Sequence, residues 1–421
     1  MDHRKLILDS INHIEPEKVP CDFGGAGVTG LHCSVVEQLR DHYGLEKRLV
    51  KVPEPFSFLG WVDDDLARAM GVNTAMVLPP YSNFGVPTTG WKEWRTPWGQ
   101  TVLIPERFGV TTDANGDSWA YPQGDLDAPP SGKMPGASFF FDDLIRQEDF
   151  DEDNLDPRDN TEEFKVFSDD MVATIVRNCE EARRTGRAVV INMPGTGLGD
   201  ISKIPGPGLK HPKGIRDIEE WYISLSLRPD HVKEILAIQT EIGLENMKRL
   251  HQAGGDGLCD VIYVCGTDFG TQASTFCSVD SFYDIFGSFY RQLCGWVHDN
   301  TPWKTFKHTC GAIEAFLDPL IDVGFDCVNP VQCSAANMDP ADLKKKYGDR
   351  ITFWGGVVDT QKVMPFGTPE EVRAQVMERL KIFAPGGGFV CASIHNVQAR
   401  TPLKNFLAVL EALEEYNGAG K

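Results

Sequence analysis

Eight short apolar runs, rich in β-branched residues and each closed by Gly, Pro, Asn, Asp or another polar residue, most constrain this fold. They occupy residues 19–24, 74–79, 188–194, 257–263, 304–308, 325–330, 351–356 and 388–393. Runs this short and this apolar are too brief for helices and read as strands buried on both faces of a parallel sheet. Helix-period stretches lie between most of them. Residues 229–253 carry Val232, Ile235, Leu236, Ile238, Ile242, Leu244 and Met247 on one stripe, the mark of an amphipathic helix. Another helix opens at Pro369, with Thr368 as its N-cap. Eight strands alternating with helices predict an α/β (β/α)8 TIM barrel, one domain over residues 1–421. An open doubly wound sheet is the alternative. No Gly-x-Gly-x-x-Gly follows a strand, however, and the glycines at 386–388 precede one.

The stretch from about 81 to 170 interrupts this rhythm. It is rich in Trp, Gly and Pro, and Asp113-Ala114-Asn115-Gly116 is a hairpin-turn signal between Thr-rich flanks. Residues 91–120 are expected to form an antiparallel hairpin inserted on the barrel and covering its mouth. The acidic run at 148–156 reads as a solvated loop.

Composition narrows the partners. The formal net charge of −20 disfavours nucleic acid, whose phosphates need a Lys/Arg surface, and disfavours polyanionic substrates. No run of about 18 apolar residues occurs, so no membrane span is expected. The first residues lead into an amphipathic segment instead of a signal peptide, which predicts a cytoplasmic protein. Eleven cysteines without regular spacing argue against a disulfide framework and leave selected thiols free for metal or nucleophilic chemistry.

Catalytic groups of such barrels sit at the carboxyl ends of strands. The strand ending in His308-Thr309-Cys310 is the strongest candidate. Residues i and i+2 of a strand point the same way, so an imidazole and a thiolate can share one ion. Both are good zinc ligands, and a catalytic zinc needs three protein ligands. A buried histidine beside an inert thiol is the alternative. The third ligand is expected from the last strand: His395 in its loop, with Cys391 in reserve. Other strand ends supply polar groups. Asp268 and Asp359 are candidate catalytic groups, and Gln272, Asn329, Gln332 and Asn396 are candidate substrate contacts, against roles as helix caps or turn formers. Trp354 and Phe139-Phe140-Phe141 are candidate walls for a flat apolar substrate, against ordinary packing.

These same residues carry a family resemblance. Asp268-Phe269-Gly270-Thr271-Gln272, His308-Thr309-Cys310-Gly311, Val328-Asn329-Pro330-Val331-Gln332, Gly355-Gly356-Val357-Val358-Asp359 and the segment from Gly386 through His395-Asn396-Val397-Gln398 resemble the uroporphyrinogen decarboxylase superfamily, within it the corrinoid-dependent methyltransferases. The resemblance implies zinc held by His308 and Cys310. The thiol-specific members add a distant Cys, and this chain carries His395 where that Cys is expected. The decarboxylase branch has an arginine-rich segment after the first strand and an Asp on the second. Here the first reads Asp22-Phe23-Gly24-Gly25-Ala26-Gly27-Val28-Thr29 and the second Ala75-Met76-Val77-Leu78-Pro79-Pro80, without Arg or acid at those places.

The expected function is therefore transfer of a methyl group from a small methoxylated, aromatic or other, compound to the cobalt of a separate corrinoid protein. Zinc would sit in the barrel, cobalamin would arrive on the partner, and a homodimer is compatible with the resemblance. The alternatives are zinc-dependent methyl transfer from a corrinoid protein to a thiol, a decarboxylase-like lyase, and a non-catalytic ligand-binding barrel.

Overall fold

The computed structural model describes residues 2–192 and 196–419. Seven parallel strands follow one another around a single curled sheet in chain order: β1 (Thr74–Met76), β2 (Ala188–Asn192), β3 (Val261–Cys265), β4 (Lys304–His308), β5 (Cys327–Asn329), β6 (Thr352–Trp354) and β7 (Phe389–Val390). Met193 and Pro194, at the end of the third apolar run, lie outside the described residues.

The first apolar run joins the two edges of this sheet through one residue. Cys21 pairs in parallel with Cys391, just past β7. On that side the Asp22 N–H donates to Cys391 O at 2.9 Å, and on the other the Asn73 N–H donates to Cys21 O at 2.9 Å. The strand expected over 19–24 is thus reduced to a bridge. Its continuation bends away because the Asp22 carboxylate accepts the Gly25 N–H at 2.7 Å, which turns the chain inward.

A second departure concerns β3, expected over 257–263 and found at Val261–Cys265. The helix Pro229–Gly254 ends on Gly255 at φ +66°, and residues up to Asp260 are spent on a knot beneath the barrel. The Asp260 carboxylate receives Arg4 Nε at 2.7 Å, an Arg183 guanidinium N–H at 2.5 Å and the Val189 N–H at 2.8 Å. Apolar composition alone does not separate such a turn from the strand it feeds. The helix expected from Pro369 runs Pro369–Phe383, with Thr368 and Glu371 forming a reciprocal capping box.

Alternation along the strands sorts their side chains into two cores. Val190, Val261, Phe306, Cys327, Trp354, Val390 and Ala392 fill the barrel interior. Val189, Ile191, Ile262, Val264, Val328, Phe353, Phe389 and Cys391 face the helix layer. Ile7 and Ile11, from the helix His3–Ile11, join the interior cluster and plug the amino end of the barrel. The Gly388 N–H donating to Ser10 O at 2.7 Å fastens the plug. The interior is therefore closed below, leaving the carboxyl ends of the strands as the working face.

One ion pair at the amino end of β5 gives a pH signature. His298 Nε2 lies 2.9 Å from Asp326 Oδ2, which also accepts the Thr305 N–H at 2.7 Å. The bond to Asp326 raises the His298 pKa above its ordinary value. Burial pushes Asp326 up, but its bonds to His298 and Thr305 bring it net below the usual carboxylate value. A raised histidine contributes stability that is lost as pH rises through its folded pKa. A depressed carboxylate contributes stability lost as pH falls through its own. Chemical denaturation across pH is expected to show His298→Ala lacking part of the wild-type decline as pH rises beyond the ordinary histidine range.

The expected insertion is present but is built differently. Residues 91–120 form two hairpins in separate sheets instead of one. Trp91–Arg95 pairs antiparallel with Thr101–Pro105, which also takes Val50–Lys51 in parallel. Gly109–Thr112 pairs with Ser118–Tyr121, extended by Gly132–Met134 and Asp142–Asp143. The Asp113–Gly116 turn sits where its sequence places it, with Gly116 at φ +86°. The insertion rests on loops that follow barrel strands. Gln123 donates to Gly208 O at 3.1 Å and Lys210 pairs with Asp125 at 2.5 Å after β2, while the Arg400 guanidinium lies 4.8 Å over the Phe139 ring after β7. It therefore stands at the rim of the mouth. Among the described residues no helix is long and apolar enough to cross a membrane.

Candidate metal centre

The carboxyl end of β4 supplies two of the three groups that converge at the mouth. His308, on the parity of Phe306, points inward, while Lys307 turns to the helix layer, where its ammonium donates to Thr267 O at 2.7 Å and His308 O at 2.6 Å. Two residues on, Cys310 brings its Sγ to 3.4 Å from His308 Nε2. From the loop after β7, the His395 ring stands edge-on to His308 at 5.3 Å between centroids. One donor atom from each of His308, Cys310 and His395 lies within 4.8 Å of the other two.

Each histidine is held by a carboxamide. His308 Nδ1 is 2.7 Å from Asn329 Oδ1, and Asn329 Nδ2 donates to Trp354 O at 2.8 Å. A carbonyl accepts only, so the second bond fixes the amide orientation and presents Oδ1 to the imidazole. Nδ1 must then carry the proton, which leaves the Nε2 lone pair directed at the centre. His395 repeats the pattern. Its Nδ1 is 2.5 Å from Asn396 Oδ1, which also accepts from Gln398 Nε2 at 2.7 Å.

Cys310 is positioned through its backbone, whose N–H donates to Asp268 Oδ1 at 2.7 Å. Gly311, at φ +88°, follows it. A Cβ there would overlap the Gly270 backbone, so glycine permits the loops after β3 and β4 to close over each other. Burial, and secondarily His395, lowers the His308 pKa; burial also lowers that of His395. Burial, and then Asp268, pushes the Cys310 thiol up. Both imidazoles are therefore neutral and ready to donate. A dication bound here would displace the thiol proton and gain a thiolate. Two oriented imidazoles and one thiol, with Cys310 and His395 only partly buried, fit zinc in a three-ligand site.

The other sequence candidates fall into different places. Asp268 belongs to the centre. Asn329 and Asn396 adjoin it as the orienting partners of the two histidines, a role expected for neither from sequence. Gln272 and Gln332 bond to each other at 2.7 Å, Gln272 donates to Ser334 O and Gln332 accepts the Gly311 N–H at 2.9 Å. Their polar groups are committed to tying three loops together. Asp359 Oδ1 accepts the N–H groups of Gln361 and Lys362 at 2.7 and 3.2 Å, forming a turn. Trp354 is fully buried in the interior below the centre, with its indole N–H donated to Asp22 Oδ2 at 2.9 Å, so it does not wall a substrate pocket. Phe141 is buried against Phe58 and Phe84 within the insertion. Cys391, the reserve ligand, has the wrong parity: it faces the helix layer, opposite to Val390 and Ala392.

Asp200 and Tyr263 at the mouth were not expected from sequence. Asp200 lies in a Gly-rich segment with no motif. Tyr263 looks like one more aromatic core residue unless its strand parity is compared with that of Phe306 and His308.

The orienting role of Asn329 predicts a specific loss. Asn329→Leu keeps the volume but removes the acceptor for Nδ1, and zinc affinity measured by chelator competition is expected to fall about 10–100-fold.

Residues 211–416, which carry His308, Cys310 and His395, match the uroporphyrinogen decarboxylase (URO-D) family. Two curated relatives are methylcobamide:CoM methyltransferases. The methylcobamide:CoM methyltransferase MtaA of Methanosarcina barkeri is 25% identical over 202 residues, covering 48% of this chain and 53% of the relative. The same enzyme from Methanosarcina barkeri (strain Fusaro / DSM 804) is 23% identical over the same share of each. The chain thus spans about half the length of the curated relatives it matches. A solved methyltransferase from Methanosarcina mazei superposes with a TM-score of 0.54 at 17% identity, covering 99% of both chains, a likeness of fold.

Proposed function

We propose that this protein is a corrinoid-dependent methyltransferase that takes a methyl group from a small methoxylated compound, aromatic rings included, and delivers it to the cobalt of a separate corrinoid protein docking at the barrel mouth. The similarity to a methylcobamide:CoM methyltransferase, together with the family match of residues 211–416, supports methyl transfer. The observation that carries the choice of substrate is the donor set of two imidazoles and one thiol. Zinc held by His308, Cys310 and His395 would supply a Lewis acid for charge developing on a leaving oxygen. A single thiolate leaves that ion more electron-poor than a two-thiolate set would, which suits oxygen better than activation of a thiol nucleophile.

The chain's own groups do the rest. Asn329 and Asn396 hold the imidazoles in the donating tautomer, and Asp268 fixes the Cys310 backbone. The interior packing of Phe306, Trp354 and Val390 keeps water from approaching from below. All eleven cysteines are free, which supports the reading of a reducing, cytoplasmic setting.

The relatives' name favours a second reading, methyl transfer to a thiol. The two are separated by incubating the zinc-loaded full chain with cob(I)alamin and a panel of methoxylated compounds, while a parallel reaction offers methylcobalamin and 2-mercaptoethanesulfonate or homocysteine. Methyl-cobalt absorbance growing in the first reaction is the expected result. Demethylation only in the second would replace this reading with the thiol one.

A further inference from the structure

We propose that Tyr263 is a catalytic residue of this site, donating a hydrogen bond and then its phenolic proton to the oxygen that leaves as the methyl group is transferred, with Asp200 as its positioning partner. The inference rests on the methyl-ether reading above.

Tyr263 lies on β3 next to the strand that carries His308 and shares its inward parity. Its ring is 5.6 Å from Phe306 and 6.5 Å from His308, centroid to centroid. Three tyrosines surround this strand end, and two have their hydroxyls satisfied by protein. Tyr290 Oη donates to Thr267 Oγ1 at 3.0 Å, and Tyr222 Oη to Asp268 O at 3.2 Å. Tyr263 is half-buried against the interior cluster, and no described residue hydrogen-bonds its hydroxyl. A phenol on the inward face that is not spent on another protein group is free to donate to a substrate oxygen.

Gly266 locates that hydroxyl. A Cβ on Gly266 would lie 2.5 Å from Tyr263 Oη and in collision with Asp200 Oδ2. The phenol and the carboxylate therefore flank one point, and only glycine leaves it open. Asp200 Oδ1 is engaged by the Ser202 N–H at 2.9 Å and Ser202 Oγ at 2.8 Å, which leaves Oδ2 toward the phenol. Burial, reinforced by Asp200, keeps the phenol protonated, the form a donor needs.

The chemistry calls for such a donor because an alkoxide or phenoxide is a poor leaving group. In transfer to cob(I)alamin the methyl carbon–oxygen bond breaks and its electron pair stays on oxygen. The Co(I) pair forms the cobalt–carbon bond, and cobalt becomes formally Co(III). The Tyr263 proton passes to the departing oxygen, giving an alcohol or phenol, and water at the mouth reprotonates the tyrosinate. A neutral donor aimed at the developing charge acts most strongly where water is scarce.

The test is the dependence of rate on the leaving group. Zinc-loaded wild type, Tyr263→Phe and Asp200→Asn are assayed with cob(I)alamin and para-substituted anisoles, from 4-methoxyphenol to 4-nitroanisole, alongside zinc content and thermal unfolding. Tyr263→Phe is expected to keep its zinc and its unfolding temperature. It should lose about 10²–10³-fold with 4-methoxyphenol, the size of losing one such donor, and far less with 4-nitroanisole, whose phenoxide leaves unaided. Asp200→Asn should show the same trend in weaker form. An equal slowing across the series, or none, would overturn the proposal while leaving the methyltransferase reading intact. A wild type inactive with every ether would overturn both.

Discussion

Replacing His308 with alanine is expected to strip the protein of zinc and to abolish methyl transfer while leaving the barrel folded. His308 is one of three donors, and its loss leaves Cys310 and His395 without the group that completes the set. Removing a donor costs more than removing a residue that orients one, itself about 10–100-fold in affinity. The structural cost is smaller. Asn329 Oδ1 loses the imidazole it accepts from, a buried acceptor left unpaired, worth about 1–3 kcal/mol. Thermal unfolding with and without added zinc separates the two effects. Zinc should raise the unfolding temperature of the wild type, since a site built by the fold binds only the folded form, whereas His308→Ala should start slightly lower and not respond. A variant that still binds one zinc per chain would place the metal elsewhere.

The largest stability effect is expected at Trp354. This side chain is fully buried at the centre of the interior cluster, edge-on to Phe306 at 5.2 Å. Its indole N–H is one of four donors to the buried Asp22 carboxylate, with Thr74 Oγ1 at 2.6 Å, Thr29 Oγ1 at 2.9 Å and the Gly25 N–H. Burial pushes the Asp22 carboxyl up, and these donors oppose that push. Trp354→Ala removes the ring and leaves a cavity, about 3–5 kcal/mol, and orphans part of the carboxylate as well. Trp354→Phe restores most of the volume but not the N–H, and should cost about 1–3 kcal/mol. Equilibrium denaturation measures both. A residue lining the substrate pocket would behave otherwise, raising KM with stability unchanged.

How much of this could be read from the sequence follows from what each feature depends on. The strand periodicity is local, so the barrel and the interrupting β segment are legible in the order of apolar runs. The convergence of His308 and Cys310 is legible too, because i and i+2 on a strand share a face. Parity carried one step further separates Cys391 from Val390 and Ala392, but it requires knowing which face is the interior, and both neighbours are apolar. The roles of Asn329, Gln272, Gln332 and Asp359 depend on partners 21, 60, 60 and 2 residues away. A polar residue at a strand end looks the same whether it meets substrate, holds a ligand or closes a turn. Asp22 and Trp354 meet across 332 positions, and nothing in either run announces it. The shortened first strand has the same origin, since the turn that ends it is made by the Asp22 carboxylate.

The central claim is that His308, Cys310 and His395 hold one metal ion at the mouth of the barrel. Anomalous diffraction at the zinc edge, from crystals of protein purified without added chelator, tests it most directly. A single peak is expected about 2.0–2.1 Å from Nε2 of each histidine and about 2.3 Å from Cys310 Sγ. A peak bound by other residues, or none in crystals grown with zinc, would contradict it.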